Sequence, residues 1–327
     1  MAKLLVMKSL FDNPMKRLNG RNAISALGLI LLVYSCPTLP STRITLEPPS
    51  RDTLTKKPNV TSKTEERNNI SYQIKNTKEW LLANKENSTQ EIVFAVNRTD
   101  ESNFSRLDSV VIPSDMSFEL SVYLPFPKKV DYLTNVSKII YFSYPTQTFA
   151  AYQNGVQVYS GATNMGREKH LTPTGLFFTN WKSKVTISTI NAKWILKWNF
   201  NFSNKEGVGW HVFSLPGYPV SHACLRLTEK DAKFLYYWAD QWVLANPHTV
   251  SIKGTPIIIF GAYDFKSPKP WLRLVYDPHA LDITPEEIKQ ITQPFTGTIL
   301  SAQQRRDSFQ QTRNVTLQKR SGRIKLR

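Results

Sequence analysis

The segment 220–227, VSHACLRL, contains the residues of this chain that are best suited to covalent chemistry. Ser221, His222 and Cys224 fall within four positions, and Arg226 follows two residues later. A cysteine acts as a nucleophile when a base or a cation favours its thiolate form. The chain has two cysteines and five histidines in 327 residues, so a Cys beside a His indicates a function for Cys224. The alternative is a buried, unreactive cysteine, which is common in protein cores.

A second candidate base lies at the other end of a short loop. His211 precedes His222 in the sequence, and Pro216-Gly217 followed by Tyr218-Pro219 predicts a turn between them. The two imidazoles can therefore face each other across the loop. We expect ordinary polar roles for the three histidines that are isolated in the sequence, His170, His248 and His279.

The residues after the cysteine predict how it is positioned. Thr228 and Asp231 have the spacing of a capping box, and Ala232 and Leu235 begin an apolar stripe, so a helix should start here. Cys224 is then expected just ahead of a helix N-terminus, where partial positive charge favours an anion. This position predicts a thiol pKa below the free value of about 8.5.

The region around these residues has the pattern of a β protein. Asn154-Gly155 separates two alternating runs, TFAAYQ and VQVYSG, which is a hairpin signature. Strand-like runs follow at 185–189 and 193–200. The apolar run IIIFGAY at 257–263 indicates a central strand. The sequence therefore predicts a mainly β fold with one helix behind the cysteine.

Three motifs in this region resemble the catalytic domain of bacterial L,D-transpeptidases of the YkuD type. The family's His, variable loop and S/T-H-G-C-x-R motif match His211 and residues 221–226, with Ala223 in the place of glycine. Val212 also stands where many members have glycine.

The other two motifs flank the first, and all three occur in the family's order. Gln147, Tyr152 and Asn154-Gly155, followed by TPTG at 172–175, are similar to the family's opening strands. GTPIIIFGAY at 254–263 is similar to its closing strand. The resemblance implies the L,D-transpeptidase catalytic-domain fold: β-sandwich-like mixed sheets with a helix following the catalytic cysteine.

The resemblance also implies a reaction on peptidoglycan. Family members cut a stem peptide at its third residue, usually diaminopimelate, and pass the acyl group from a thioester to an amine. By this mapping Cys224 is the nucleophile, His211 is its base, and His222 lines the site. Backbone N–H groups of residues 223 and 224 would stabilise the oxyanion. If that turn has positive φ, Ala223 costs roughly 1 kcal/mol or more relative to glycine.

The roles of Arg226 and Ser221, and the reaction itself, each have alternatives at this point. Arg226 can bind a substrate carboxylate or brace the loop, and Ser221 more often ties a turn than takes part in catalysis. Two other functions compete with transfer: an inactive lipoprotein that binds the wall, and an L,D-carboxypeptidase in which water replaces the amine. We expect no metal or other cofactor, since the sequence has no HExxH motif and no paired CxxC motif.

The N-terminus predicts export. Basic residues precede an apolar run at 23–35, which is shorter than the roughly 20 residues of a membrane span and fits an export signal. Cys36 directly follows Ser35, as in bacterial lipoprotein signals. We therefore expect residues 1–36 to be a lipoprotein signal, with lipid on Cys36 holding the protein at the membrane in the periplasm or cell envelope. A short anchor, an ordinary signal and a Cys36–Cys224 disulfide are the alternatives.

Composition divides the rest of the chain. Polar residues dominate 37–105, which predicts a flexible stalk with one short helix near 76–84. An N-terminal extension at 106–136 is expected to pack on a catalytic domain at 137–263. A C-terminal extension at 264–300 and a disordered basic tail at 301–327 follow. The net charge of +17 indicates an anionic neighbour, and export argues against nucleic acid.

Overall fold

The structure is a computed structural model that describes residues 67, 69–84, 87–188 and 191–324, without the side chains of 87, 88 and 315–324. The predicted signal at 1–36, its Cys36 and the first part of the predicted stalk lie outside the described residues. Within the described part of the chain, no helix combines the length and the apolar character needed to cross a membrane.

The described residues form strands and helices with the following bounds. The strands are β1 (Tyr72–Asn76), β2 (Ser109–Pro113), β3 (Ile139–Ser143), β4 (Thr148–Gln153), β5 (Val156–Ala162), β6 (Gly175–Phe178), β7 (Lys182–Ile187), β8 (Ile195–Ser203), β9 (Val208–Val212), β10 (Leu225–Leu227), β11 (Val243–Asn246), β12 (Thr249–Ile252) and β13 (Pro256–Phe260). The helices are α1 (Thr77–Ala83), α2 (Asn87–Val96), α3 (Glu101–Phe104), α4 (Glu229–Trp238), α5 (Pro285–Thr292) and α6 (Thr296–Ile324).

Two mixed sheets form the centre of the fold. One has the strand order β5-β4-β3-β13-β6, and the other has the order β10-β9-β8-β7. The pairs β3–β13 and β9–β10 are parallel, and the remaining pairs within these two sheets are antiparallel. The predicted hairpin turn at Asn154-Gly155 joins β4 to β5, and the predicted central strand is β13. The prediction of a mainly β fold with mixed sheets is confirmed.

The main core lies between these two sheets and α4. Alternate residues of β3, β4 and β13 meet Phe200, Trp210 and Leu225 of the second sheet. Ala232 and Leu235 on one face of α4 pack against the same cluster. The period of two along the strands and the helical spacing along α4 therefore direct apolar side chains into a single interior.

The outer face of the five-stranded sheet is covered by the flanking segments. Tyr141, Tyr152 and Ile258 point to this side and pack with apolar residues of 126–136 and of 283–299. Strand β3 is therefore buried on both faces, which explains why IIYFS has no polar alternation.

The structure differs from the predicted flexible stalk over its described residues within 67–105. Strand β1 and helices α1 to α3 form there, and Val93, Val96 and Phe104 are fully buried. Val96 packs in one cluster with Trp271 and Leu274, which are distant in sequence. Val93 and Phe104 pack instead with Trp80, Val110 and Ile112, which lie nearby in the chain, and β2 pairs with β1. The polar composition of this range predicted disorder because composition does not show that its few apolar residues cluster with one another and with partners outside the range.

The structure also differs from the prediction of a disordered tail at 301–327. Helix α6 runs through its described residues, from 301 to 324. Its start is anchored by buried Ile299 and by Gln303, whose side chain contacts the backbone at Ser137 and Asn135. The Arg306 guanidinium donates to the carbonyls of Gln241 and Lys253. The basic residues of 301–324 are therefore compatible with a helix, because the first turns of α6 pack against the rest of the protein.

Candidate active site

The parallel pairing of β9 with β10 brings the predicted site residues together. Arg226 lies opposite His211 in this ladder, and Leu225 lies opposite Trp210. Successive side chains along a strand point to opposite faces, so Trp210 and Leu225 enter the core while His211 and Arg226 face the other way. On that other face is a cavity of about 350 Å³ lined by His211, Ser221, His222, Cys224 and Arg226. We call it the Cys224 cavity.

The opposite wall of the Cys224 cavity comes from the β7–β8 hairpin. Trp181, Leu196, Asn199 and Asn201 line it, and Trp194 lies between the two strands in sequence. The indole of Trp194 is 5.4 Å from the His222 ring, centroid to centroid. Aromatic surface and amide groups therefore face the cysteine, a combination that suits a peptide ligand.

His211 is held as a neutral imidazole with one free nitrogen. Its Nδ1 is 3.0 Å from the carbonyl oxygen of Val212, so Nδ1 carries the proton and donates it. Burial, helped by the charge of Arg226, lowers the pKa of His211 to about 4, against the opposing effect of the Val212 hydrogen bond. At neutral pH the Nε2 lone pair is thus available to accept a proton.

Cys224 is a protonated thiol at neutral pH. Burial raises the pKa of Cys224 above its ordinary value, although a hydrogen bond from the backbone of Gly209 and the charge of Arg226 lower it. The Cys224 Sγ lies 3.8 Å from the carbonyl oxygen of Gly207 as a weak donor.

The prediction of a lowered thiol pKa is therefore wrong, because Cys224 does not lie at the N-terminus of α4. Strand β10 separates Cys224 from α4, whose first residue is Glu229. The electrostatic effect of a helix terminus falls off within one turn, so it does not reach the sulfur. The cap itself forms as predicted, with the Thr228 side chain accepting from the backbone N–H of Asp231. A thiol in this setting needs a base to remove its proton during attack.

His222 is paired with an arginine instead of a carboxylate. The Arg167 Nη2 lies 2.7 Å from the Nε2 of His222, and a guanidinium can only donate, so the His222 proton lies on Nδ1. Burial, followed by the charges of Arg167, His170 and Arg226, lowers the pKa of His222. Its Nδ1 is buried and has no hydrogen-bond partner among the described residues. The ring is therefore a neutral donor at the end of the Cys224 cavity.

Ala223 adopts the backbone conformation that glycine favours. Its φ is +83°, and its carbonyl accepts a hydrogen bond of 2.8 Å from the Thr172 hydroxyl. Unlike the other predicted site residues, Ala223 does not line the cavity and packs against the main core. The methyl group therefore carries the cost expected for an L-residue at positive φ, roughly 1 kcal/mol.

Ser221 is held through its backbone. Its N–H donates to the Met165 carbonyl at 3.0 Å, and its carbonyl accepts from the Arg167 N–H at 2.9 Å. Asn164 holds the preceding residues, since its side chain accepts from the Val220 N–H at 3.2 Å and donates to the Tyr218 carbonyl. Ser221 is thus locked at the edge of the Cys224 cavity by the segment that follows β5.

Arg226 places a half-buried cation in the Cys224 cavity. Its guanidinium carbon lies 4.5 Å above the Phe213 ring, and its Nη1 donates to the Ser214 carbonyl at 3.4 Å. Burial lowers the pKa of Arg226, while the neighbouring Cys224 raises it. Within the described part of the chain no carboxylate pairs with Arg226, which leaves its charge available to an anionic ligand group.

Two residues near the site were missed by the sequence reasoning. Arg167 contacts His222, and the ring of His170, for which the sequence predicted an ordinary polar role, lies 5.0 Å from the His222 ring. The parallel bridge between Gly166 and Ser221 brings this segment to the site. The available signal was their position just before the TPTG motif, which by itself does not indicate a contact with His222.

Comparisons with known proteins agree with this geometry. Residues 137–259 match the YkuD family model, described as an L,D-transpeptidase catalytic domain. The search among curated proteins found no match.

Solved structures similar to this chain include L,D-transpeptidases from three bacteria. That of Stackebrandtia nassauensis is 21% identical over 39% of this chain and 57% of its own, with a TM-score of 0.32. That of Mycobacterium smegmatis is 20% identical over 38% and 59%, with a TM-score of 0.30. That of Mycobacterium tuberculosis is 20% identical over 38% and 58%, with a TM-score of 0.31.

This chain thus spans less than two thirds of the length of each of these structures. The family match covers the two central sheets and the segment that carries Cys224, while the residues before 137 and after 259 lie outside it. Residues 137–259 are therefore similar to the L,D-transpeptidase catalytic domains of the YkuD family.

Proposed function

We propose that this protein is an exported L,D-transpeptidase that acts on peptidoglycan stem peptides through a thioester on Cys224. The observation that carries the proposal is that a thiol and an imidazole with complementary protonation states line the same cavity. A protonated Cys224 and a neutral His211 with a free Nε2 both line it. A neutral base beside a protonated thiol is what acyl transfer by a cysteine requires.

The acylation step exchanges an amide for a thioester. The Cys224 sulfur attacks the carbonyl carbon of the stem peptide's third residue while His211 Nε2 takes the thiol proton. The C–N bond to the terminal D-amino acid then breaks, and His211 returns the proton to the leaving amine. No water, ATP or redox partner enters this step. The product retains an activated carbonyl outside the cell, where ATP is absent.

The second step transfers the acyl group to an amine. An acceptor amine attacks the thioester carbonyl, the C–S bond breaks, and the released sulfur regains its proton. The acceptor is an amine of another stem peptide or of a wall protein. With water as acceptor the same site would act as a carboxypeptidase.

The charges of the cavity suit an anionic substrate. Arg226 has no carboxylate partner among the described residues and lies in the same cavity as Cys224. Stem peptides carry free carboxylates near the reacting bond, so we assign Arg226 to one of them. The His222 side chain lines the same cavity, so we assign it to a contact with the substrate.

We further propose that the protein works at the cell envelope, held by lipid on Cys36. The basic residues, the apolar run at 23–35 and the following Ser35-Cys36 support this location. The net charge of +17 favours contact with anionic lipids or wall polymers.

A single-turnover experiment tests the reaction. The protein lacking residues 1–36 is incubated with a tetrapeptide stem, and its intact mass is measured. We expect the wild type to gain the mass of the tripeptide acyl group and to lose it when an acceptor amine is added. Cys224→Ala should show no adduct and unchanged circular dichroism.

Other results of this intact-mass experiment would indicate a different function. An adduct that decays equally fast without the amine, giving free tripeptide, indicates a carboxypeptidase. Absence of any adduct, with muropeptide binding equal in wild type and Cys224→Ala, indicates an inactive binding protein and contradicts the proposal.

A further inference from the structure

The loop that carries Ser221 and His222 is held from outside the family-matched segment. We define it as the 213–222 loop, which connects β9 to Cys224. Thr99 and Pro216 form an antiparallel bridge between the segment before α3 and this loop. The Asp100 N–H donates to the Leu215 carbonyl at 3.0 Å, and the Leu215 N–H donates to the Asp100 Oδ2 at 2.6 Å.

The Asp100 carboxylate divides its two oxygens between two tasks. Its Oδ1 caps α3 by accepting from the Asn103 N–H at 2.9 Å and from the Ser102 hydroxyl at 2.7 Å. Its Oδ2 accepts from Leu215, whose side chain is fully buried. Charge-assisted hydrogen bonds of this kind are shorter and stronger than neutral ones. One side chain thus ties the folded N-terminal segment to the 213–222 loop.

Other contacts make the same junction tight. Gly217 has φ +80°, and a Cβ added there would lie 3.2 Å from the Asn97 carbonyl oxygen. From the C-terminal segment, the Lys269 Nζ lies 5.8 Å from the centroid of the Tyr218 ring. The far end of the loop is held by Asn164 and Met165 from within the catalytic domain.

The 213–222 loop is therefore fixed at two ends by two different parts of the chain. The inner anchors lie within residues 137–259, and the outer anchor, Asp100, lies outside them. A loop held at one end only would let its middle move, and His222 and Ala223 directly precede the nucleophile. Displacements of about 1 Å at a reacting group can reduce rates about a hundredfold.

We infer that Asp100 is a positioning residue that sets the 213–222 loop, and through it His222, against Cys224. Its effect on stem-peptide turnover rests on the proposed function. Its effect on the thiol and on the loop does not, so both are measured directly.

The test is Asp100→Asn in the protein lacking residues 1–36. Asparagine keeps one oxygen and caps helices as well as aspartate, but its amide group cannot accept from both Asn103 and Leu215. We expect the Cys224 alkylation rate by iodoacetamide to fall about tenfold at pH 7. We also expect the pH profile of that rate to shift and amide hydrogen exchange of 214–221 to become at least about tenfold faster.

Asn76→Ala is the matched control. Asn76 caps α1 by accepting from the N–H groups of Lys78 and Glu79, and these hydrogen bonds lie outside the 213–222 loop. We expect this variant to lower the melting temperature by about 2–4 °C, with wild-type alkylation and wild-type loop exchange. A general loss of stability would thus be separated from a loss of loop position.

The inference is overturned if Asp100→Asn retains both the wild-type pH profile of alkylation and the wild-type protection of 214–221. It is equally overturned if Asn76→Ala changes them as much. If the wild type forms no acyl-enzyme but Asp100→Asn still alters alkylation and exchange, the proposed function fails while the positioning role stands.

Discussion

The two faces of the β10-β9-β8-β7 sheet have opposite chemistry although they are built from adjacent residues. One face presents Phe200, Trp210 and Leu225 to the core, and each is fully buried. The other presents His211 and Arg226 to the Cys224 cavity, where neither side chain pairs with a carboxylate among the described residues. A shift of a single residue in the β9–β10 register would exchange these sets.

Strand alternation therefore places the apolar residues that stabilise the fold on one face of this sheet and the polar residues of the Cys224 cavity on the other. The core face contributes burial of large apolar side chains, which is the main source of folding free energy. The cavity face contains polar groups whose desolvation costs free energy and adjusts their pKa values. Substitutions on the two faces should therefore affect different measurements.

The largest expected effect is on the cavity face at Cys224. Cys224→Ala removes the nucleophile, so stem-peptide turnover should fall at least about a thousandfold. The side chain is only partly buried, so the melting temperature should change by no more than about 2 °C. Turnover assays and calorimetry on the same samples measure both. A variant with substantial remaining turnover would contradict the nucleophile assignment.

The neighbouring core residue should show the reverse. Leu225→Ala leaves a cavity beside Trp210 and is expected to lower the free energy of unfolding by about 2–5 kcal/mol. At a temperature where the variant is folded, its thiol should still react with iodoacetamide. Urea unfolding and alkylation kinetics test this pair of outcomes. Unchanged stability would mean that the register places Leu225 differently.

One titrating group on each side of the sheet should have opposite effects on stability. The pKa of His211 is lowered to about 4, so below pH 6.5 the unfolded state binds more protons and stability falls with falling pH. The pKa of Asp231 in α4 is raised to about 6, chiefly by burial, so stability falls as pH rises from about 4 to 6. Each contributes about 3 kcal/mol, and the two slopes nearly cancel.

Substituting one of these two residues at a time reveals how the other makes the free energy of unfolding depend on pH. In His211→Asn the free energy of unfolding should decrease more steeply between pH 4 and 6 than in the wild type, because the slope from Asp231 is no longer offset by that from His211. In Asp231→Asn it should increase between pH 4 and 6.5, because the slope from His211 is no longer offset by that from Asp231. Urea unfolding in steps of half a pH unit gives both curves. Two parallel curves would refute these opposite shifts.

The smallest expected effect tests the turn before Cys224. Because Ala223 has φ +83°, Ala223→Gly should raise the free energy of unfolding by roughly 0.5–1 kcal/mol. Ala302→Gly within helix α6 is the control, and it should lower the same quantity by about 0.5–1 kcal/mol. A loss of stability in Ala223→Gly would show that this backbone conformation is not strained.

Local patterns in the sequence predicted much of the catalytic domain. The Asn154-Gly155 turn, the cap at Thr228 and the apolar run at 257–263 all lie where they were expected. Each depends on residues within a few positions of one another, which is why local spacing suffices. The two histidines and Cys224 line one cavity for the same reason, since a single short loop joins them.

The folding of the described residues within 67–105 depends in part on partners that are distant in sequence. Val96 is buried against Trp271 and Leu274, which lie far away in the chain, and composition averaged over 37–105 does not show this. Helix α6 likewise needed a docking surface for Ile299. Both differences arise because burial offsets conformational entropy only when the partner surface is present.

The sequence by itself indicated which residues line the Cys224 cavity and in what order, because backbone preferences and strand alternation act over short distances. Only the tertiary structure decided the protonation states and the contacts that hold the site: a partly buried Cys224 with a raised pKa, Arg167 beside His222, and Asp100 hydrogen-bonded to the 213–222 loop. Desolvation and charge–charge interactions depend on the distances between groups in space, and those distances exist only after the chain has folded.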